Sequence, residues 1–228
     1  MMVENDTFVP ALRFHFLTSA YDAVVRLSTR ERRFKTALIE QADILPSQSV
    51  LDLACGTGTL SIWVKQRFPD VEVFAIDGDP AILARAAHKA RSAHVDIAFE
   101  QGLSHALPYP DDHFDRVLSS LFFHHLSWEG KQRTAQELLR VLKPGGELHV
   151  ADWGQPANPL MRLLFRPIQW LDGMANTQDN ASGKLIPMFE ANGFANLYER
   201  RHFNTAFGTL RLFSATKPLI LRSREEIS

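Results

Sequence analysis

The chain of 228 residues has one cysteine, Cys55, so no intrachain disulfide braces it. It has no apolar run approaching the roughly 18 residues of a membrane span. The only stretch near its start resembling a secretion signal is interrupted by Glu4, Asp6 and Arg13, so a cytoplasmic, reducing compartment and no stable membrane insertion are expected. An excess of positive charge is also missing. Lys and Arg number 25 against 26 Asp and Glu, a formal net charge of −1, which argues against nucleic acid as a partner. No Gly-Lys-Ser or Gly-Lys-Thr occurs, which excludes a Walker phosphate loop. Tyr21, Tyr109 and Tyr198 are followed four positions later by Val25, His113 and His202, so no Tyr-x-x-x-Lys pair exists. His105, His113, His124 and His125 match no metal-ligand spacing and no Cys-x-x-Cys accompanies them, so no metal is expected. What remains is ordinary globular composition, 45% apolar and 22% charged. A chain of this length buries roughly 70% of its unfolded surface without staples.

Short β-like runs alternate with longer helical stretches, the signature of a parallel sheet covered by helices. The strand candidates are Ser49 to Ala54, Val71 to Asp77, Val95 to Gln101, Phe114 to Ser120 and Glu147 to Asp152. Leu60, Val64 and Phe68 recur at fourfold spacing on one helical face. Asp79-Pro80 predicts an N-cap and first helical position, with the helix running to about Ser92. Lys143-Pro144-Gly145-Gly146 predicts a turn between a helix ending near Leu142 and the fifth strand. Asn196 to Asn204 and Leu210 to Thr216 predict a hairpin that closes the sheet with an antiparallel strand. The expected organisation is an N-terminal helical cap over 1–45, a Rossmann-like cofactor-binding core over 46–154 and a helical insertion or lid over 155–183. A C-terminal helix and strand hairpin over 184–217 and a tail over 218–228 complete it.

The most informative stretch is Val50 to Leu60, a buried strand running through Ala54-Cys55-Gly56-Thr57-Gly58 into an amphipathic helix. In open α/β sheets ligands bind outside the carboxyl ends of the strands, where glycine lets the backbone approach them. Asp77 ends the next strand, 21 positions after Gly56, the separation at which a carboxylate meets ribose hydroxyls. An adenosine-type ligand is implied. Asp52 lies two residues before the turn, where it would oppose a pyrophosphate and favour an ammonium. Cys55 is read as a small residue in a tight loop, and Asp79 as a helix cap.

Asp52 to Gly58, Asp77, Leu107-Pro108, Phe114-Asp115-Arg116-Val117, His125-Leu126 and Val141 to Gly146 together resemble the class I S-adenosylmethionine-dependent methyltransferases. The resemblance covers about residues 45–217, and its nearest flavour is the small-molecule, quinone-biosynthesis-like branch. It implies a doubly wound, mostly parallel seven-stranded sheet with the last strand reversed. It implies S-adenosyl-L-methionine as cofactor and S-adenosyl-L-homocysteine as product. Carried over by position, it places the methionine ammonium near Asp52, Ala54 and Gly56, with Thr57 and Gly58 in the same loop. Asp77 takes the ribose, Gly78, Asp79 and Ile82 flank the adenine, and Ser104 offers a backbone amide. Ser120 and Leu121 lie beneath the sulfonium. Ala54 replaces the family's first loop glycine, and Leu103 stands where a carboxylate usually binds the adenine amino group.

Methyl transfer from a sulfonium is an in-line displacement in which the protein aligns donor and acceptor and excludes water. By the same resemblance, His124 is the candidate base, His125 a structural residue of the cofactor site, and Tyr21 a residue that closes over the cofactor. Because neighbours on an extended chain point to opposite sides, only one of the two histidines is expected to face the pocket. The resemblance also places the acceptor under the N-terminal helices and the insertion, where Phe14, Tyr21, Phe123, Trp153, Phe165 and Trp170 are candidate walls that suit a small hydrophobic or aromatic molecule. Leu160 to Leu171, with Arg162 and Arg166, is a candidate membrane-surface contact. Two rival readings remain. A nicotinamide-dependent oxidoreductase would need Asp52 to tolerate a pyrophosphate, and a non-catalytic S-adenosylmethionine-binding module is suggested by Leu103.

Overall fold

The computed structural model describes residues 31–219. After α1 (Glu31–Gln41), strands and helices alternate: β1 (Ser49–Leu53), α2 (Thr59–Arg67), β2 (Glu72–Asp77), α3 (Pro80–Ser92), β3 (Ala98–Gln101) and β4 (Phe114–Ser120). A 3-10 turn, Phe123–His125, leads into α4 (Trp128–Val141) and the long β5 (Leu142–Trp153). Three short helices follow, α5 (Pro159–Leu164), α6 (Arg166–Asp172) and α7 (Met174–Ala181). The last elements are α8 (Leu185–Ala191), β6 (Ala195–Thr205) and β7 (Gly208–Thr216). The sheet order is β3-β2-β1-β4-β5-β7-β6, with β7 antiparallel to both neighbours and the other pairings parallel.

Alternation along the strands divides the core into two faces. Leu51, Leu53, Ile76, Val117, Leu148 and Val150 pack against Leu138 of α4 and Met188 and Phe189 of α8. Val50, Val73, Leu118, Ala151, Leu210 and Leu212 pack against Phe34 and Leu38 of α1 and Leu60 and Val64 of α2. A central strand buried on both faces must therefore be almost wholly apolar, and β1 is buried at all five positions. Its one charged residue, Asp52, needs local partners.

Asp79 caps α3 as the sequence predicts, accepting from the backbone amides of Ala81 and Ile82, and Pro80 opens the helix. The reading of Lys143 to Gly146 as a separate turn is corrected. β5 begins directly after α4, and the segment is a bulge inside the strand, where pairing jumps from Phe114–Leu142 to Arg116–Glu147. The backbone of Gly145 and Gly146 exchanges hydrogen bonds with Lys217, so residues from the chain's far end complete the strand. A Cβ on Gly146 would sit 2.8 Å from the Lys143 carbonyl oxygen, which explains the need for glycine.

The segment after β5 folds back onto the carboxyl end of the sheet. Asn180 of α7 donates to the carbonyl of Trp153, and Asn176 donates to that of His125. Lys131 of α4, fully buried, donates to the carbonyl of Asn176 and lies 3.8 Å from Asp179. These contacts fix α7 against the 3-10 turn and the tip of β5. Lys131→Ala leaves the Asn176 carbonyl short of a partner, while Asp179 keeps Lys184 at 3.0 Å, and a loss of about 1 to 3 kcal/mol in stability is expected. Urea unfolding checks the loss, and hydrogen exchange should quicken first in 174–181.

Candidate active site at the carboxyl edge of the sheet

β1, β2 and β4 end nearly level, with Leu53 beside both Ile76 and Ser119. The chain then turns sharply. Ala54, Gly56 and Gly58 all have positive φ, of 55°, 54° and 70°. The loop closes through the amide of Gly58 on the carbonyl of Cys55, and the amide of Cys55 binds the carbonyl of Ile76. Gly58 must also be small: a Cβ there would meet that of Ala86 at 3.0 Å and the ring of Phe99 at 3.3 Å. Gly56 differs, because a Cβ built on it meets nothing within 4 Å. The loop backbone thus borders open space beside Asp77, whose Oδ2 accepts from the Gly56 amide at 2.9 Å. Its Oδ1 accepts from the amide of Asp79 at 3.0 Å. Burial raises the Asp77 carboxyl above the usual carboxylate range, against the lowering effect of these amides.

Asp52 is 2% exposed and gives Oδ2 to the amide and hydroxyl of Ser61 in α2. It therefore secures the helix behind the loop. Burial pushes its carboxyl up to about 6, opposed by Ser61 and Lys35. Cys55 is buried and its thiol is pushed up by burial, then by Asp52 and Asp77, which leaves it inert as a nucleophile. Thr57 and Thr59 take the ammonium of Lys89, at 3.4 and 2.7 Å.

The other expected residues fall around this centre. The carbonyl of Gly78 accepts from Gln101, Asp79 directs its carboxylate into the α3 cap, and Ile82 is half-buried in that helix's first turn. Leu103 is 37% exposed in a small bridge with Ala106, and the Ser104 hydroxyl binds that of Thr134. Ser120 ends β4, and Leu121 adopts φ 55° as its amide binds the carbonyl of Ala151. Tyr21 and Phe14 lie outside the described residues. Among the aromatic acceptor candidates, Phe123, Trp153 and Phe165 are packed into the core and Trp170 is 83% exposed, so none of these four is an evident pocket wall.

The expectation for the two histidines is also corrected. They do not lie on an extended chain but share the 3-10 turn, with ring centroids 4.0 Å apart. The cause is Asp152 at the end of β5, which the sequence by itself marks only as a strand residue. Its carboxylate, 1% exposed, accepts from the amides of Phe122, His124 and Trp153 and meets His124 Nδ1 at 2.6 Å. Its place at a strand end matches that of Asp77, the one signal that would have found it. Both imidazoles face Asp172 at the end of α6, a residue with no sequence signal. Burial holds His125 well below the ordinary histidine range, hence neutral.

Comparison with known proteins decides how this edge is read. A family profile described as a methyltransferase domain matches residues 50–146. The demethylmenaquinone methyltransferase of Thermus thermophilus is 32% identical over 155 residues, covering 67% of this chain and 70% of that protein. The chain belongs to the class I S-adenosylmethionine-dependent methyltransferases. The demethylmenaquinone methyltransferase of Deinococcus radiodurans is 35% identical over 67% of this chain, but that match spans 64% of the relative's length. The ubiquinone/menaquinone biosynthesis C-methyltransferase UbiE of Syntrophotalea carbinolica is 27% identical over 90% of this chain and 93% of its own. Among solved structures, the YcgJ protein of a Bacillus matches with TM-score 0.69 at 19% identity, over 82% of this chain and 99% of that one. These matches account for the Rossmann-like sheet and the enzyme class. They also favour S-adenosylmethionine over a dinucleotide, and the loop is compatible with it: a Cβ on Gly56 meets nothing within 4 Å, and Asp77 lies hydrogen-bonded beside it.

The loop of this methyltransferase is open to two tests. Ala54→Gly relieves the left-handed strain at φ 55° and should stabilise the protein by roughly 0.5 to 1 kcal/mol, read from its thermal midpoint. Asp52 has a folded pKa of about 6 above its ordinary 3.8, so its contribution to stability is fully present below 3.8 and is lost as pH rises through 6. Asp52→Asn removes that dependence. The variant's stability relative to the parent should rise by about 2 to 3 kcal/mol between pH 4 and 7 and then level off.

Proposed function

We propose that the chain transfers a methyl group from S-adenosyl-L-methionine to a small hydrophobic or aromatic acceptor of the quinone-precursor kind. The observation that carries this reading is the open backbone at Gly56 with Asp77 hydrogen-bonded beside it. In this reading Asp77 takes the ribose, while the loop Ala54 to Gly58 and Asp52 face the methionine end. Gly78, Asp79, Ile82, Leu103 and Ser104 surround the adenine, with Leu103 supplying apolar contact where the family resemblance leads one to expect a carboxylate. Ser120 and Leu121 lie beneath the sulfonium, and His125 supports that side of the site. The bound cofactor supplies an already activated methyl group, so the protein's main task is alignment. His124, oriented by Asp152, is the group placed to take a proton from an acceptor hydroxyl. Tyr21, in the N-terminal segment, is assigned to closure over the cofactor.

The quinone-type acceptor is inferred from relatives whose names state menaquinone or ubiquinone biosynthesis. Balanced charge favours small molecules over nucleic acid, and a lone buried thiol suits a cytoplasmic setting. Among the described residues no helix is long and apolar enough to cross a membrane. The core, cap and hairpin divisions at 46–154, 155–183 and 184–217 are proposed as units that divide cofactor and acceptor binding between them. A non-catalytic or differently catalytic role has one structural precedent: the [4+2]-cyclase SpnF shares the fold at TM-score 0.66 and 19% identity, over 82% of this chain and 80% of that one. Turnover on any acceptor separates the two readings.

Calorimetric titration with S-adenosylhomocysteine, with NADH in parallel, tests the cofactor assignment. Micromolar binding of the homocysteine compound is expected, weakened in Asp77→Ala by about 1 to 3 kcal/mol, the value of hydrogen bonds to a charged group. Binding of NADH alone would sink the reading and restore the oxidoreductase.

A further inference from the structure

The cofactor reading leaves Asp172 unexplained. Its side chain is 9% exposed, and among the described residues no hydrogen bond reaches its carboxylate. Its Oδ2 lies 3.6 Å from His124 Nε2 and its Oδ1 lies 3.8 Å from His125 Nδ1. Both separations are too long for hydrogen bonds. On the other side of the ring, His124 Nδ1 is held at 2.6 Å by Asp152, which can only accept, so Nδ1 carries the hydrogen and Nε2 turns a lone pair toward Asp172. Lone pairs facing a buried carboxylate repel unless a cation stands between them.

One ligand atom from each of His124, His125 and Asp172 falls within a 4.8 Å span. Two atoms each bound at about 2.0 to 2.1 Å to a tetrahedral ion lie about 3.4 Å apart, against 3.6 and 3.8 Å here from the two imidazoles to the two oxygens of Asp172 and at most 4.8 Å within the set, so a small inward shift of the ligands would seat the ion. We propose that His124, His125 and Asp172 bind a divalent transition ion of the zinc class. Asp152 would be the carboxylate that fixes His124 from behind, the usual partner of a metal-bound imidazole. Three protein ligands leave a fourth position for water or an acceptor oxygen; with the ion bound the lone pair of His124 is engaged, so the ion would take over from His124 the activation of an acceptor hydroxyl, and only this last role rests on the methyltransferase reading. A proton on His124 is the simpler cation, but it gives no use to His125, which converges on the same carboxylate. The histidine spacing alone led to the expectation of no metal. Asp172, supplied by the segment after β5, is the ligand that spacing could not reveal.

Calorimetric titration of the chelator-stripped full chain with Zn²⁺ tests this, with Co²⁺ absorption reporting the ligand set. One ion per chain at micromolar affinity or tighter is expected, with Co²⁺ bands of a low-symmetry nitrogen and oxygen site. Asp172→Asn and His125→Gln should each weaken binding at least tenfold, and Asp152→Asn by about 10- to 100-fold. The thermal midpoint of each sample reports an intact fold, and S-adenosylhomocysteine titrated into the parent tests the cofactor reading by itself. If it binds normally while Zn²⁺ does not, or while Zn²⁺ binds equally to parent, Asp172→Asn and His125→Gln, the metal site is overturned and the cofactor reading stands. Loss of S-adenosylhomocysteine binding by the parent, with Zn²⁺ binding retained and weakened in the variants, would instead overturn the cofactor reading and support the metal site.

Discussion

Three carboxylates near the carboxyl ends of β1, β2 and β5, Asp52 and Asp152 buried and Asp77 half-buried, organise this molecule. A parallel strand that stops inside a protein leaves the turn after it with backbone amides to satisfy. Here Asp77 accepts from Gly56 and Asp79, Asp152 from Phe122, His124 and Trp153, and Asp52 from Ser61. Each carboxylate thereby shapes a loop that belongs to a different strand or to the helix beyond. The loop after β1, the turn after β4 and the start of α2 are all held in this way.

The same arrangement sets the sign of the site. Burial raises both Asp52 and Asp77, and the negative charge of Asp77 raises Asp52 further. An edge of this kind disfavours a pyrophosphate and favours a ligand with cationic centres, because desolvated charges interact far more strongly than exposed ones. S-adenosylmethionine carries two such centres, an ammonium and a sulfonium. Fold alone would not make that choice, since one architecture hosts many functions. Charge at the strand ends distinguishes what the sheet topology leaves open.

What the sequence made legible was local. The strand, glycine loop and helix over Val50 to Arg67 are contiguous, Asp79-Pro80 is a self-contained cap, and Asp77 lies at a fixed chain distance from Gly56. Long-range contacts defeated the rest. Lys143 to Gly146 has the residues of a turn, yet pairing with Lys217 draws it into β5. The histidines read as extended because the chain distance to Asp152, 28 residues, hides the carboxylate that winds them into a 3-10 turn. The aromatic residues after β4 and β5 could serve either a pocket or the core, and packing decided for the core at Phe123, Trp153 and Phe165.

The carboxyl edge of the sheet and the segment that covers it are held in different ways. Loop residues near Gly56 are constrained on several sides at once, by backbone conformation, by contact with Ala86 and Phe99, and by Asp77. α5, α6 and α7 have between six and eight residues each, too short to be stable alone, and depend on docking. α7 is docked through Lys131, Asn176 and Asn180, which bind carbonyls, and Phe165, Ile168 and Ala181 set the segment into the core. Residues such as Asp172 can then change without disturbing the cofactor edge, while the groups they meet, His124 and His125, stay fixed by Asp152 and the 3-10 turn. A change at Asp172 therefore alters what the two imidazoles meet and leaves the imidazoles themselves in place.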